Sequence, residues 1–488
     1  MSLSLTLNHA LTGLRAATRQ TDLIANNVAN ALTEGYGRRE IELSAAAIAG
    51  AGAGVKVEGV SRAASPFISD ARRLADASAG GADVLADARG RLAAAVGQPG
   101  DSASLASSAD RLDAALAAAA ETPESTALLS TAVTAARDYA NTINRIGTEA
   151  MTLRTEADAS IGAQVDRMND GLNQIKSLNE EIRARSLTGA DITALEDQRE
   201  RVIRQITDIV PVRVVQRPND EVAIYAKNGG QLLDGRVYEL EFTPTRVVAP
   251  NQTLAGGALS GISVRGVDIP IGEGGDRGLF DGGSLSAAFE LRDRIIPEFT
   301  ADLDGAAEDA ILRVQGLAAD PTVGPTDAGI FTDEGLAYDP LDLVGLSLRI
   351  SINPSIDPDA GGEVTRLRDG VAAAAPGETG NGALLRALQD ALQAPAAAPA
   401  GTSFTGDRSF SGFAVELSSG ALAASSTADG RAGFTAGQLA ALNDAELGDI
   451  GVDTDQELSR LLLVEQAYAA NARVIQVVDE LFARLLEI

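Results

Sequence analysis

The chain has 488 residues, a net charge of −28 and a pI near 4.4, a balance that argues against nucleic acid and anionic membrane as partners. That length exceeds one comfortable core, so two to four domains are expected. Hydrophobic content is 45% but aromatics make up only 3%, so small side chains dominate and suit closely packed helices. There is no cysteine, which excludes disulfides, thiolate metal sites and cysteine nucleophiles. The N-terminus has no basic leader before an apolar block, and no apolar run is long enough to span a bilayer. A chain of this kind leaves the cell, if it does, without a cleaved secretory signal.

In chain order, the first predicted element is a helix with Leu3, Leu7, Ala10, Leu14, Ala17, Thr21, Ile24 and Val28 at alternating spacings of four and three. That is a heptad seam with Thr21 its only polar member. The helix runs into "IANNVANALTEGYGRRE", which packs Asn26, Asn27 and Asn30 into five positions and breaks at Gly35-Tyr36-Gly37. "AGAGVKVEGVSR" reads as a strand or hairpin. Residues 68–97 and 103–121 read as helices, and the three/four spacing from 124 to 185 predicts one rod of about 90 Å at 1.5 Å per residue, with Gly147, Gly162 and Gly171 as potential bends. "ITALEDQRERVIRQITDIV" is a further helix ending at Pro211.

The period then changes. Residues 212–270 alternate and carry turn signals at Pro218-Asn219-Asp220 and Gly229-Gly230, as β-hairpins do. "IGEGGDRGLFDGG" is a loop, helix resumes at 284–317, "LVGLSLRISINPSIDP" is a strand running into a turn, and "ALLRALQDALQ" is a short helix. "APAAAPAGT" reads as a flexible joint and 403–447 as helix. The last helix starts near Asp453 and places Leu461, Val464, Tyr468, Asn471, Ile475, Val478, Phe482 and Leu485 on a second heptad seam. A single amide in an apolar seam tends to fix register.

The fold class expected is mainly α with smaller β parts: terminal heptad helices forming a coaxial coiled-coil stalk, a rod of long helices and a small β-hairpin domain. The expected division is 1–60 plus 445–488 for the terminal assembly domain, 61–211 plus 284–444 for the helical rod, and 212–283 for the β-rich domain.

Candidate chemistry is sparse. The single histidine, His9, sits beside seam residue Ala10 without evident acid–base or ligand partners and reads as a helix surface residue. "GAGAG" at 50–54 lacks dinucleotide-loop spacing. Asp276 and Asp281 lie in a glycine loop without the alternating ligands of a calcium site, so a plain turn is expected. Asp453, Asp455 and Glu457 cluster at a helix start, where carboxylates cap the helix and complement its dipole. No catalytic residue, cofactor or metal is expected. What stands out is that Gln20 to Thr33 carries one charge, Asp22, and Gln466 to Val478 one, Arg473. A polar but uncharged helix face is costly to leave in water for no return and cheaper to bury than an ion, so both faces of each terminal helix are expected to be covered in an assembly.

These stretches resemble the bacterial flagellar rod, hook and junction proteins. "ANNVANALTEGYGRR" is similar to that family's N-terminal motif, usually an Asn-Asn-x-Ala-Asn run ending in Thr-Pro-Gly-Tyr. "VDTDQELSRLLLVEQAYAANARVIQVVDELFARLLEI" resembles its C-terminal segment, with Gln466, Ala467 and Tyr468 at its core. "LEDQRERVIRQITDIVPVRVV…EVAIYAKNGGQLLDG", "ISINPSIDP" and "GNGALLRALQDAL" look like the hook–filament junction members. The chain departs from the motif at Leu32-Thr33-Glu34, where the family's proline is missing, and at Gly37, which replaces a common serine.

The resemblance implies a non-enzymatic structural subunit, exported unfolded through the flagellar type III apparatus and assembled as a ring at the hook tip, outside the cell. Its implied partners are copies of itself, hook protein, a second junction protein, the export apparatus and a cytosolic chaperone on the C-terminal helix; nucleic acid and membrane are not among them. Terminal seams poorly paired in the monomer would order on assembly. The interface expected is Leu7, Leu14, Ile24, Asn26, Asn27, Val28, Asn30, Gly35, Tyr36, Leu461, Val464, Tyr468, Asn471, Ile475, Val478, Phe482 and Leu485. The alternatives are a sibling hook or distal rod subunit and, from another class, a secreted enzyme or adhesin on a helical stalk, for which no convergent polar constellation is found.

Overall fold

The computed structural model describes residues 3–33, 35–48, 51–270, 280–315, 319–324 and 327–486, without the side chains of Ile48, Ala51, Leu485 and Leu486. Helix α1 (Leu3–Ala29) is followed by an antiparallel hairpin, β1 (Arg39–Ile48) and β2 (Ala51–Arg62). Then come α2 (Pro66–Val96), α3 (Leu105–Glu121), α4 (Thr126–Ser186) and α5 (Thr193–Thr207). β3 (Val212–Gln216), β4 (Val222–Ala226), β5 (Gln231–Asp234) and β6 (Arg236–Val237) form a meander in that order. β7 (Leu240–Glu241), β8 (Ile262–Val264) and β9 (Val267–Ile269) form a second.

The chain continues through α6 (Gly283–Glu290) and α7 (Ile296–Val314), joined by a π turn at Leu291–Ile295. β10 (Phe331–Asp333), α8 (Leu346–Arg349), β11 (Ile350–Ile352), α9 (Arg366–Asp369), α10 (Ala383–Gln393), α11 (Phe410–Ile450) and α12 (Thr454–Leu486) complete it. The protein is mainly α with several small antiparallel sheets. Among the described residues no helix is long and apolar enough to cross a membrane.

The 61-residue α4 is the spine, running through three apolar clusters in succession. Its first half packs with α3, α7, α10 and the start of α11 around Tyr139, Phe331, Phe410 and Phe413. Its last third packs with α5, α6 and the β3–β8 strands. Between them lies a polar lock in which Arg292, fully buried, meets Asp158 at 2.7 Å and lies over Phe242 and Phe289. Arg154 beside it donates to the carbonyls of Ala249, Pro250, Gln252 and Arg292.

Two glycines that read as bends are close-approach points instead. α4 stays one element, and a Cβ at Gly171 would fall 2.6 Å from Ile206 while one at Gly147 would fall 3.0 Å from Leu348. "APAAAPAGT" is not a free joint either. Ala396 pairs with Arg408 in an isolated bridge, and Arg313 donates to the Ala391 and Arg408 carbonyls on either side of it. The strand read in "LVGLSLRISINPSIDP" shrinks to β11, because Leu346–Arg349 closes a helical turn first.

α11 runs antiparallel to α2, with Ser69 on Glu446 at one end and Gly90 near Ser425 at the other. α1 and α12, from far ends of the sequence, also run antiparallel: Asn27 bonds Glu457 and Gly13 faces Asn471. The hairpin folds back along α1, with His9 Nε2 donating to the Gly52 carbonyl at 2.8 Å and the Val55 amide donating to Thr12. His9 therefore has a structural partner rather than a bare surface position. Gly54, at φ +99°, is required there, because a Cβ would fall 2.2 Å from the Thr12 hydroxyl. α1, β1, β2 and α12 form an arm; residues 66–450 form the body.

Candidate assembly site

The arm's root is built on Asn27, which is 0% exposed. Its Nδ2 donates to the Arg39 carbonyl at 3.0 Å and to Glu457 Oε2 at 3.1 Å. Its Oδ1 accepts from the Arg39 amide at 3.0 Å and the Tyr36 hydroxyl at 2.8 Å. Two donors and two lone pairs are all that an amide has, so the side chain is fully satisfied. It acts as a neighbouring strand for Arg39 and starts β1. An aspartate in its place could not donate to Glu457 and would repel it.

Tyr36 is held against this amide with the Arg39 guanidinium 5.0 Å from its ring centre. Burial raises the Tyr36 hydroxyl above its ordinary value, so it stays protonated and donating. Gly35, at φ +77°, takes the left-handed turn, and a Cβ there would fall 2.7 Å from Arg201. A Cβ at Gly37 would fall 2.5 Å from Arg62 Nε. The departure from serine at this position therefore makes room for the Arg62 guanidinium. Glu34 lies outside the described residues.

Arg62 uses that room to reach Asp197 on α5, at 2.7 Å. Asp197 also accepts from the Gly37 amide at 3.2 Å and from Arg39 at 3.3 Å. On α12, Asp453 caps the helix by accepting from the Asp455 and Gln456 amides, as read from sequence. Glu457 does more than complement a dipole: it is buried, with Asn27 and Arg460 as partners.

The structure brings only some of the expected interface together. Ala17, Ile24, Leu461 and Val464 form one small apolar cluster between α1 and α12. Leu7, Leu14, Asn471 and Ile475 are half-buried and Val478 is buried. Thr21 satisfies itself on the Ala17 carbonyl. Tyr468 is 45% exposed and Phe482 is also largely open, although both sit on the seam. The facing stretch of α1 offers Ala10, Gly13, Ala16 and Ala17, too small to cover an aromatic ring at Tyr468. Val28 is exposed because α12 begins opposite Asn27 and offers nothing beyond it. Asn26 is exposed and Asn30 half-buried; they bond each other rather than a second element. The Leu485 side chain and Asp276 lie outside the described residues, and Asp281 is exposed. Among the described residues no cluster of histidines and carboxylates could hold a metal.

Sequence reasoning missed a second apolar row on α12. Leu463, Ala467, Ala470, Val474, Val477 and Leu481 repeat at four/three spacing, all exposed, with Leu463 at 64% and Val477 at 55%. Projected at 100° per residue, this row lies about a quarter-turn from the one facing α1. The spacing alone could have found it. Asp197 and Arg62 had no such signal, because their pairing joins positions 135 residues apart.

Three family models match this chain. A flagellar hook-associated protein FlgK helical domain matches residues 91–315, a flagellar basal body rod FlgEFG protein C-terminal segment matches 449–488, and a flagella basal body rod protein segment matches 7–36. Flagellar hook-associated protein 1 of Bacillus subtilis is 26% identical over 332 residues, covering 62% of this chain and 64% of that protein. The protein of the same name from Escherichia coli is 24% identical over 396 residues, covering 73% and 71%. The match thus spans under two thirds of the Bacillus relative's length. A solved structure, the flagellar hook junction protein FlgK from Burkholderia pseudomallei, aligns with a TM-score of 0.42 at 19% identity, over 54% of this chain and 46% of that one.

Proposed function

Because three segments of this chain match family models of flagellar rod and hook-associated proteins, we propose that it is a flagellar structural protein rather than an enzyme and that it joins hook to filament as a ring of subunits at the hook tip. In this reading the chain travels through the type III export apparatus without a cleaved signal, with α12 covered beforehand by a cytosolic chaperone. The arm then packs against copies of itself, with hook protein on one side and a second junction protein on the other.

The observation that carries the reading is the unfinished arm. α1 covers one row of α12, and a second apolar row beside it is left open. A two-helix element with a spare heptad row is a partial bundle, and neighbouring arms are the chemically matched completion. The charge-poor faces around Asn26 and Asn471 fit the same role, since amides desolvate at lower cost than ions. The sibling reading, hook or distal rod subunit, loses support from the match of residues 91–315 to the hook-associated helical domain.

Deleting residues 455–488 tests the reading. The body is expected to fold while cells build hooks without filaments and release filament protein into the medium. Normal filaments on that truncation reject it.

A further inference from the structure

We propose that the crossing from arm to body is a polar hinge latched by Asp197, so that one subunit can present its arm at more than one angle. The inference concerns the isolated chain and does not depend on the flagellar role.

The chain crosses between arm and body three times, near residues 37–39, 62–64 and 450–453. All three crossings meet at one point. The Arg38 amide donates to the Ile450 carbonyl at 2.9 Å, and the Ala63 amide donates to the Arg38 carbonyl at 2.7 Å. Besides the Arg38–Ile450 bond, the hairpin legs are tied to the body through one carboxylate. Asp197 Oδ1 accepts from Gly37 N and Arg62 Nε, and Oδ2 accepts from Arg39. The latch therefore holds both legs of the hairpin at once, and releasing Asp197 removes the side-chain tie of both while the Arg38–Ile450 backbone bond stays as the pivot.

Among the described residues no buried apolar cluster spans it: three lie wholly within the body and the fourth wholly within the arm. Apolar contact resists any change of angle in proportion to area, whereas a charge-assisted bond is short-ranged and directional, and it is either made or broken. Beside the crossing lies a cleft of about 990 Å³ with Arg19, Asp22 and Asn26 on its arm wall and Arg73, Glu196 and Glu200 on its body wall. That gap gives the arm clearance to swing. Gly37 and Gly451 stand at two of the crossings, where small residues best absorb a backbone rotation. The latched state is also not fully satisfied, because Arg39 Nε is buried without a partner. An unmet donor of this kind lowers the cost of letting go.

The chain's lack of cysteine makes the test direct. Thr18→Cys on α1 and Ser177→Cys on α4, both at exposed positions, take a pair of spin labels on the purified full-length chain. Pulsed dipolar spectroscopy is expected to give one narrow distance distribution in the parent. Asp197→Asn, which keeps the shape of the side chain but removes its charge, is expected to at least double the width while the body melts as before. If Asp197→Asn fails to fold, Arg62→Gln is read in its place, with the same expectation. A folded variant with the parent's width, or a parent already as broad as the variants, overturns the proposal. The reading requires no flagellum, so its failure leaves the hook–filament assignment standing, and failure of the truncation test leaves the hinge standing.

Discussion

The arm and the body solve the same packing problem with different materials. The body stacks three apolar clusters along α4 and seals them with buried ion pairs such as Arg292–Asp158. The arm has one cluster of a single alanine and three larger aliphatic residues, plus a set of side-chain bonds at its root. A region that is stable alone needs its apolar surface covered from within. A region meant to be completed by others can leave that surface open and rely on polar register, and the arm does so.

The contrast is easiest to break in the body. Ile143→Ala empties a fully buried position in the largest cluster and is expected to cost about 2–5 kcal/mol. Thermal unfolding should show a lower midpoint, with the body's cooperative loss carrying the arm along. A midpoint within a degree of the parent would contradict the division drawn above.

A smaller and more local effect is expected from Asn27→Asp. It removes two donors and sets a carboxylate beside Glu457, for about 1–3 kcal/mol confined to the arm. Hydrogen exchange should quicken at Arg39 and the first residues of β1 and α12, while body amides and the melting midpoint stay put. Uniform loss of protection would place Asn27 in the global core instead.

The smallest effect is a difference of sign. Burial raises the carboxyls of Asp304 and Asp309 in the body above the ordinary range. Such groups bind more protons folded than unfolded, so their contribution improves as pH falls toward about 4, the unfolded carboxylate range. In the arm, bonds from Lys56 and then Ser44 hold Glu58 below its ordinary value. Its contribution is present above the unfolded range and is lost as pH drops through the lowered value. Moving from pH 7 to 5 is therefore expected to raise the body's melting midpoint slightly, with net charge of −28 relaxing in the same direction. From pH 5 downward, exchange in the hairpin should quicken. A body midpoint that falls between pH 7 and 5 would reverse this assignment.

Much of the skeleton was legible because helix periodicity is local. The three/four spacing from Leu129 to Ile182 marks α4, and the same spacing marks α1 and α12, without any knowledge of partners. What could not be read depends on who arrives from elsewhere. In the sequence Asn27 is one of three closely spaced asparagines, and only the arrival of Arg39, Tyr36 and Glu457 makes it the buried centre. Gly171 looks like a bend until Ile206 is seen against it. The π turn at Leu291–Ile295 adds one residue to a helix of ordinary composition and leaves no periodic trace short enough to notice. Asp197 is one carboxylate among 68 acidic residues, and nothing within its own helix sets it apart.

The bond between Asn27 and Glu457 joins positions 430 apart. Closing a flexible loop of that size costs about 5 kcal/mol beyond a constant, more than a handful of small apolar contacts returns. The arm therefore cannot lead; it must wait until the intervening chain has collapsed and carried both ends to one place. Formation of this last pair is a report that everything between has already found its shape, and a subunit misfolded in its middle would have no arm to offer.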